Sequence, residues 1–166
     1  MAEQTLDDNA RKFTLNPIDP QFLTEHQATT YTMIADWLET GDDDEKKIVY
    51  KQFNTGNIQI LLISKVTVGD SRTTVKQKIT AKQYEELLAD STLCIVKNRS
   101  EFAYIQNGIS FDMKYDEFAG SKLCILEVDG ASEQARHSFD PSGFPAPLVE
   151  VTGNTRYYGY RTATAL

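Results

Sequence analysis

The chain is poor in the residues that build redox and metal centres, with two cysteines and two histidines among 166 residues. So few, with no metal-type spacing between them, argue against a disulfide framework and against a zinc site. Cys94 and Cys124 each lie in a strand-like apolar run, Leu93-Cys94-Ile95-Val96 and Leu123-Cys124-Ile125-Leu126. Both are expected to be buried, reduced thiols. No apolar run approaches the roughly 20 residues of a membrane helix. Met1-Ala2-Glu3-Gln4 has neither the basic nor the apolar region of a signal peptide, so the expected location is cytoplasmic, with no membrane partner. Positive charge is in the minority, with 17 Lys and Arg against 24 Asp and Glu and a formal net charge of -7. That balance argues against nucleic-acid binding over the outer surface, but leaves room for a basic interior. There is no internal repeat and no low-complexity linker. The length suits one domain spanning residues 1–166, enough to bury a core.

The few cations are placed with a pattern. In Arg72-Thr73-Thr74-Val75-Lys76-Gln77-Lys78-Ile79, Arg72, Lys76 and Lys78 share one parity, while Val75 and Ile79 hold the other. Read as a strand, the segment is basic on one face and apolar on the other. Candidate strands are Arg11–Leu15, Thr30–Leu38, Lys47–Phe53, Ile58–Val68, Arg72–Ile79, Leu93–Arg99, Glu101–Gln106, Ile109–Tyr115 and Lys122–Asp129. Asn107-Gly108 is a hairpin turn, Gly69-Asp70 a turn before the basic strand, and the acidic Gly41-Asp42-Asp43-Asp44-Glu45 reads as a turn. Helices are few. Thr80-Ala81-Lys82-Gln83 has the capping-box form ahead of Tyr84, Leu87 and Leu88 at helical spacing, and Ser132 can cap Glu133–Ser138. Asp140–Pro147 is a Pro-rich loop, and Gly153 to Tyr160 holds a short helix or turn. Many antiparallel strands with small helices predict an α+β fold, a closed or nearly closed antiparallel β-barrel of about eight strands with the helices outside.

Polar residues of both signs recur on strand faces whose other side is apolar. Lys65 shares parity with Ile63 and Leu61, and Lys97 and Arg99 share a face with Ile95. Ser110, Asp112 and Lys114 oppose Phe111, Met113 and Tyr115, and Glu127 and Asp129 oppose Cys124, Leu126 and Val128. Two arrangements satisfy this pattern. The polar faces are solvated, or helices and loops cover the apolar faces and the polar ones line a tunnel. A tunnel of both signs would suit a metal-bound polyphosphate, with Lys and Arg on phosphate oxygens and carboxylates on Mg²⁺ or Mn²⁺.

Motifs in order along the chain resemble those of the CYTH superfamily, the triphosphate tunnel proteins that include class IV adenylate cyclases, thiamine triphosphatases and inorganic triphosphatases. Asp8-Asn9-Ala10-Arg11-Lys12-Phe13 resembles the opening E-x-E-x-K-F. Arg72 through Leu88 resembles R-x-E-x-E with its following helix, and Ile95-Val96-Lys97-Asn98-Arg99 resembles I-x-K-x-R. Ser110-Phe111-Asp112 resembles E-x-D. Phe118-Ala119-Gly120 with Leu126-Glu127-Val128-Asp129 resembles L-x-G with E-x-E, and Val151 through Tyr157 resembles the closing V-T-G-D-x-R-Y. The resemblance implies phosphate binding by Lys12, Lys51, Lys65, Arg72, Lys97, Arg99 and Arg156, and Lys76, a cation in place of a motif acid, favours anion retention beside them. It implies a metal, Mg²⁺ or Mn²⁺, on Asp112, Glu127, Asp129 and Asp8. The match is uneven: Ala10, Thr74, Lys76 and Ser110 stand where the family has acids, which weakens the expected hold on a metal ion.

Several functions are compatible with this pattern. The first is a metal-dependent triphosphatase acting on a triphosphate or polyphosphate. The second is a binding module that keeps the anion grip without turnover. Cyclisation of ATP ranks below both, because nothing in the sequence marks a base pocket. An interaction scaffold remains, in which Tyr157, Tyr158 and Tyr160 either form an exposed contact or pack at a barrel mouth. An exposed edge strand would favour a homodimer.

Overall fold

The structure, a computed structural model, describes residues 3–7, 9–41 and 44–165. In chain order the elements are β1 (Glu3–Asp7), β2 (Arg11–Thr14), α1 (Pro20–Glu25), β3 (Thr29–Glu39), β4 (Asp44–Phe53), β5 (Ile58–Val68), β6 (Ser71–Lys78) and α2 (Ala81–Leu88). These are followed by β7 (Leu93–Gln106), β8 (Ile109–Phe118), β9 (Cys124–Asp129), α3 (Glu133–Ser138), β10 (Val149–Glu150) and α4 (Gly159–Ala165), with short 3-10 turns at Pro141–Gly143 and Thr155–Tyr157. The fold is α+β and antiparallel, as the alternation predicts. Among the described residues it has ten strands rather than about eight, and the hydrogen-bonded strand order has two ends, at β1 and β10, so the sheet is not closed by hydrogen bonds.

The chain forms two compact units. One comprises Met1–Asn9, Thr32–Val96 and Thr155–Leu166, and the other Ala10–Tyr31 and Lys97–Asn154. In the first unit the strand order is β1-β6-β5-β4-β3-β7. The tight hairpins β4–β5 and β5–β6 set its register, with Glu45 opposite Lys65 and Lys65 opposite Thr74. Tyr50 of β4 meets Tyr84 of α2 with ring centroids 5.7 Å apart. The α2 N-terminus carries both halves of the predicted capping box. The Thr80 hydroxyl accepts from the Gln83 N–H at 3.1 Å, and Gln83 Oε1 accepts from the Thr80 N–H at 2.8 Å. Thr80→Ala removes that cap and is expected to cost about 1 kcal/mol of stability, measured by denaturant melts.

In the second unit the order is β3-β7-β8-β9-β2-β10, with β3 and β7 contributing to both units. Its core is the apolar parity of the strands: Phe13 of β2, Phe102 of β7, Phe111, Met113 and Tyr115 of β8, and Leu126 and Val128 of β9. Phe22 of α1 and the loop residues Phe139 and Phe144 pack on it edge to face. The β7–β8 hairpin turns at Asn107 (φ 52°) and Gly108 (φ 77°), the left-handed pair that a two-residue type I′ turn requires.

Several boundaries differ from the sequence reading for local reasons. The acidic cluster is not all turn: Asp44 and Glu45 begin β4, because Glu45 is held by Trp37 and Lys47. The predicted strands Leu93–Arg99 and Glu101–Gln106 are one strand, because Ser100 between them is buried, its hydroxyl 2.9 Å from Thr30 Oγ1. Cys94 is exposed, not buried, because it shares the exposed parity of Val96 and Asn98; Cys124 is buried as expected. The strands β1 and β10 and the helix α1 are additional to the expected set. Asp19 caps α1 by accepting from the Gln21 N–H, with Pro20 at its first position, a signal present in the sequence. No helix among the described residues is long and apolar enough to cross a membrane.

Candidate functional site

Each unit carries a charged cluster on the strand parity opposite its helix-facing or core-facing residues. In the first unit the centre is Glu45. Residues 45, 47, 49 and 51 of β4 share a face, and the register continues that face through Leu61, Ile63 and Lys65 of β5 to Arg72, Thr74 and Lys76 of β6. Three cations converge on the Glu45 carboxylate. Lys47 Nζ and Arg72 Nη2 each lie 3.8 Å from Oε1, and Lys65 is its direct cross-strand partner. Trp37 Nε1 donates to Oε2 at 3.4 Å. Burial alone would raise the Glu45 carboxyl, but Lys47, Lys65 and Arg72 outweigh it and hold the group below its usual range. Lys47 also lies 5.1 Å over the Trp37 ring, and the Arg72 guanidinium 4.7 Å over Tyr158.

In the second unit the centre is Asp116. It accepts from Lys97 Nζ at 2.8 Å and from Arg99 Nε and Nη2 at 2.7 Å each, a bidentate fork. Burial would raise the Asp116 carboxyl, yet Arg99 and Lys97 keep it below the ordinary carboxylate range. Glu127 Oε1 lies 4.0 Å from Arg99 Nη2 and 3.9 Å from Lys12 Nζ, which faces it across the β2–β9 ladder. Burial, and then the Arg99 charge, push the Lys97 ammonium down to about 8 from 10.5 against the pull of Asp116 and Glu127. Between those values the unfolded chain holds a proton that the folded chain has released. Stability should therefore rise as pH increases from about 8 toward 10.5. Melts at stepped pH check this, with Lys97→Met expected to flatten the rise.

The structure thus brings Lys65 and Arg72 together in the first unit, and Lys12, Lys97 and Arg99 together in the second. Lys51 and Lys76 lie on the same face as the Glu45 cluster, opposite Gln59 and Ile63. Arg156 is exposed on its 3-10 turn, 5.9 Å from the Tyr157 ring centroid. Tyr158 is half-buried under Arg72, a packed ring rather than an exposed contact. Two central acids, Glu45 and Asp116, were absent from the expected set. Both continue a polar parity already visible, Glu45 with Lys47 and Lys51, Asp116 with Asp112 and Lys114.

The acids expected to hold a metal are placed differently. Asp8 lies outside the described residues. Asp112 is exposed and directly opposite Asp129 on the β8–β9 ladder, while Glu127 is opposite Lys114. Asp129 Oδ1 accepts from Arg136 at 3.4 Å and from the Gly130 N–H at 2.8 Å. Among the described residues no three carboxylate, histidine or cysteine side chains are grouped to hold a metal ion. Glu127 and Asp129 each stand beside a cation, whereas a hard divalent ion needs several oxygens converging on one point.

No protein-family model and no curated protein matches the sequence. Solved structures do match. The crystal structure of the inorganic triphosphatase NE1496 aligns with TM-score 0.62 at 22% identity, covering 96% of this chain and 99% of that one. A second crystal structure of NE1496, described as a hypothetical protein, gives TM-score 0.60 at 23% identity over 98% and 97%. The chain shares the fold of these two structures. A Bacillus halodurans protein assigned as an adenylate cyclase is similar more distantly, with TM-score 0.50 and 10% identity over 80% of this chain and 85% of that one. In this fold, Arg72 of the R-x-E-x-E-like strand meets Glu45. The I-x-K-x-R-like strand delivers Lys97 and Arg99 to Asp116.

Proposed function

We propose that the protein binds inorganic triphosphate or a longer linear polyphosphate and hydrolyses its terminal phosphoanhydride. The observation that carries this reading is the buried Glu45 carboxylate facing Lys47, Lys65 and Arg72, a group in which cations outnumber acids within an acidic chain. The likeness to an inorganic triphosphatase supports it. Arg72 and Lys65 would neutralise non-bridging phosphate oxygens, Arg72 through its planar fork and Lys65 as a point charge. Hydrolysis needs that neutralisation as the bridging bond loosens. A water oxygen bonds to the terminal phosphorus, the bridging P–O bond breaks, and triphosphate yields diphosphate and phosphate. The water's protons pass to the products and solvent.

The test is phosphate release from inorganic triphosphate, thiamine triphosphate and ATP, with Mg²⁺, with Mn²⁺ and with EDTA. Release above background from inorganic triphosphate is expected. Its absence with all three substrates, using folded protein, rejects hydrolysis.

A second reading, binding without turnover, is favoured by Thr74 and Lys76 in place of acids and by the engagement of Asp116 and Glu127 with bases. Its result would be calorimetric binding of triphosphate with no phosphate released. Cyclic AMP formed from ATP would favour a cyclase instead.

A further inference from the structure

Two threonine hydroxyls in the first unit's basic patch have no hydrogen-bond partner among the described residues: the Oγ1 atoms of Thr67 and Thr74 are buried and unpaired. Thr74 is 4% exposed. On the β5–β6 ladder Lys65 lies directly opposite Thr74, and Thr67 directly opposite Arg72. Alternate residues along a strand share a face, so the four side chains occupy one rectangle, about 5 Å across the ladder and about 7 Å along it. Cations and hydroxyls sit at alternate corners.

Buried hydroxyls are nearly always paired, and leaving one unpaired is destabilising. Threonine's strand preference does not explain the pair, because valine offers the same branched shape without the hydroxyl. The face they share carries Arg72, 3.8 Å from the Glu45 carboxylate, and Lys65 opposite that acid. The side chains directly opposite the two hydroxyls are thus cations, and an anion whose oxygens accept hydrogen bonds suits both kinds of group.

We propose that Thr67 and Thr74 donate their hydroxyl hydrogens to non-bridging oxygens of a phosphoryl group held between Lys65 and Arg72, and that these neutral donors let the patch hold triphosphate without a divalent metal. This rests on the triphosphate-binding reading above and adds the donors that select tetrahedral phosphoryl oxygens. Thr74 stands where the resemblance to R-x-E-x-E places an acid. A carboxylate there can reach phosphate only through a bridging cation, whereas a hydroxyl reaches it directly. The departure from the motif thus converts a position suited to a metal into one suited to the anion.

The test is calorimetric titration of inorganic triphosphate into the full chain in EDTA at low salt, paired with thermal melts of the ligand-free proteins. Thr74→Val and Thr67→Val are each expected to weaken binding about tenfold, the worth of one hydrogen bond to a charged oxygen. Their ligand-free melting temperatures are expected to hold or rise, because an unpaired buried hydroxyl has gone. Thr74→Ser is expected to retain wild-type affinity. Valine variants that bind as wild type does, while Arg72→Ala loses binding, would overturn the role of the hydroxyls and leave the triphosphate reading intact. Valine variants that lose both binding and melting temperature, with serine giving no rescue, would assign the threonines to packing alone. Wild-type protein with no triphosphate affinity in EDTA overturns metal-free binding; affinity that then returns with Mg²⁺ or Mn²⁺ preserves the broader reading.

Discussion

Asp116→Asn is expected to lower the folding free energy by about 3–5 kcal/mol, the penalty for leaving buried cations without their counter-charge. The substitution preserves shape, so the loss reports charge rather than packing. Asp116 has a side chain 2% exposed and accepts hydrogen bonds from Lys97 and from both arms of Arg99. An asparagine offers one acceptor oxygen and turns an N–H₂ toward a cation. The remaining nearby acid, Glu127, is 4.0 Å from Arg99 and already faces Lys12. Chemical denaturation of both proteins at pH 7 measures the difference. Adding Lys97→Met to the Asn variant should recover part of the loss, since one of the stranded charges is then removed. A loss under about 1 kcal/mol would mean that water reaches the pair and the ion cluster contributes as little as a surface bridge.

Arg72→Ala is expected to weaken inorganic triphosphate binding about 100-fold at low salt. Arg72 supplies a planar fork to the first unit's cluster, and removing a bidentate charge-assisted pair from a part-buried site typically costs about 2–5 kcal/mol. Its side chain is 14% exposed and lies between Glu45 and the Tyr158 ring, so its direction is set before any ligand arrives. Arg72→Lys should recover only part of the affinity, because the ammonium restores charge without the fork. Titration calorimetry at low and raised salt reads both effects, with the wild-type affinity falling as salt screens the patch. Wild-type affinity in the alanine variant would move the phosphate grip away from this cluster.

Much of the architecture was legible along the chain. Ile58–Val68 and Glu133–Ser138 match the predicted bounds, and the capping box at Thr80 and the Asn107-Gly108 turn are where their residues place them. These are local features: alternation, a cap and a turn each depend on neighbours within a few positions. The missed elements had weaker or different signals. The two-residue strand β10 exists through its pairing with Phe13 and Thr14, and no alternation can show in so short a segment. The expected break between Arg99 and Glu101 is absent because the Thr30 hydroxyl, from another strand, meets Ser100.

The candidate site divides the same way. Lys65, Arg72, Lys97 and Arg99 could be named from the sequence because their parity, spacing and motif context are written in it. Their acidic partners could not be named with them. Glu45 looked like part of an acidic turn, and Asp116 lay beyond the predicted end of its strand. Parity assigns a side chain to a face; it does not say which residue of another strand will stand opposite.

The sequence by itself determined the α+β class, the basic and apolar faces of the strands, and the replacement of acids by Thr74 and Lys76. Only the tertiary structure decided that Glu45 gathers Lys47, Lys65 and Arg72, that Asp116 holds Lys97 and Arg99, and that Thr67 and Thr74 keep unpaired hydroxyls beside the cations. The physical reason is register. Pairings such as Lys12 with Glu127 join strands more than a hundred residues apart, and their alignment is set by the packing of the apolar faces, not by any local preference of the chain.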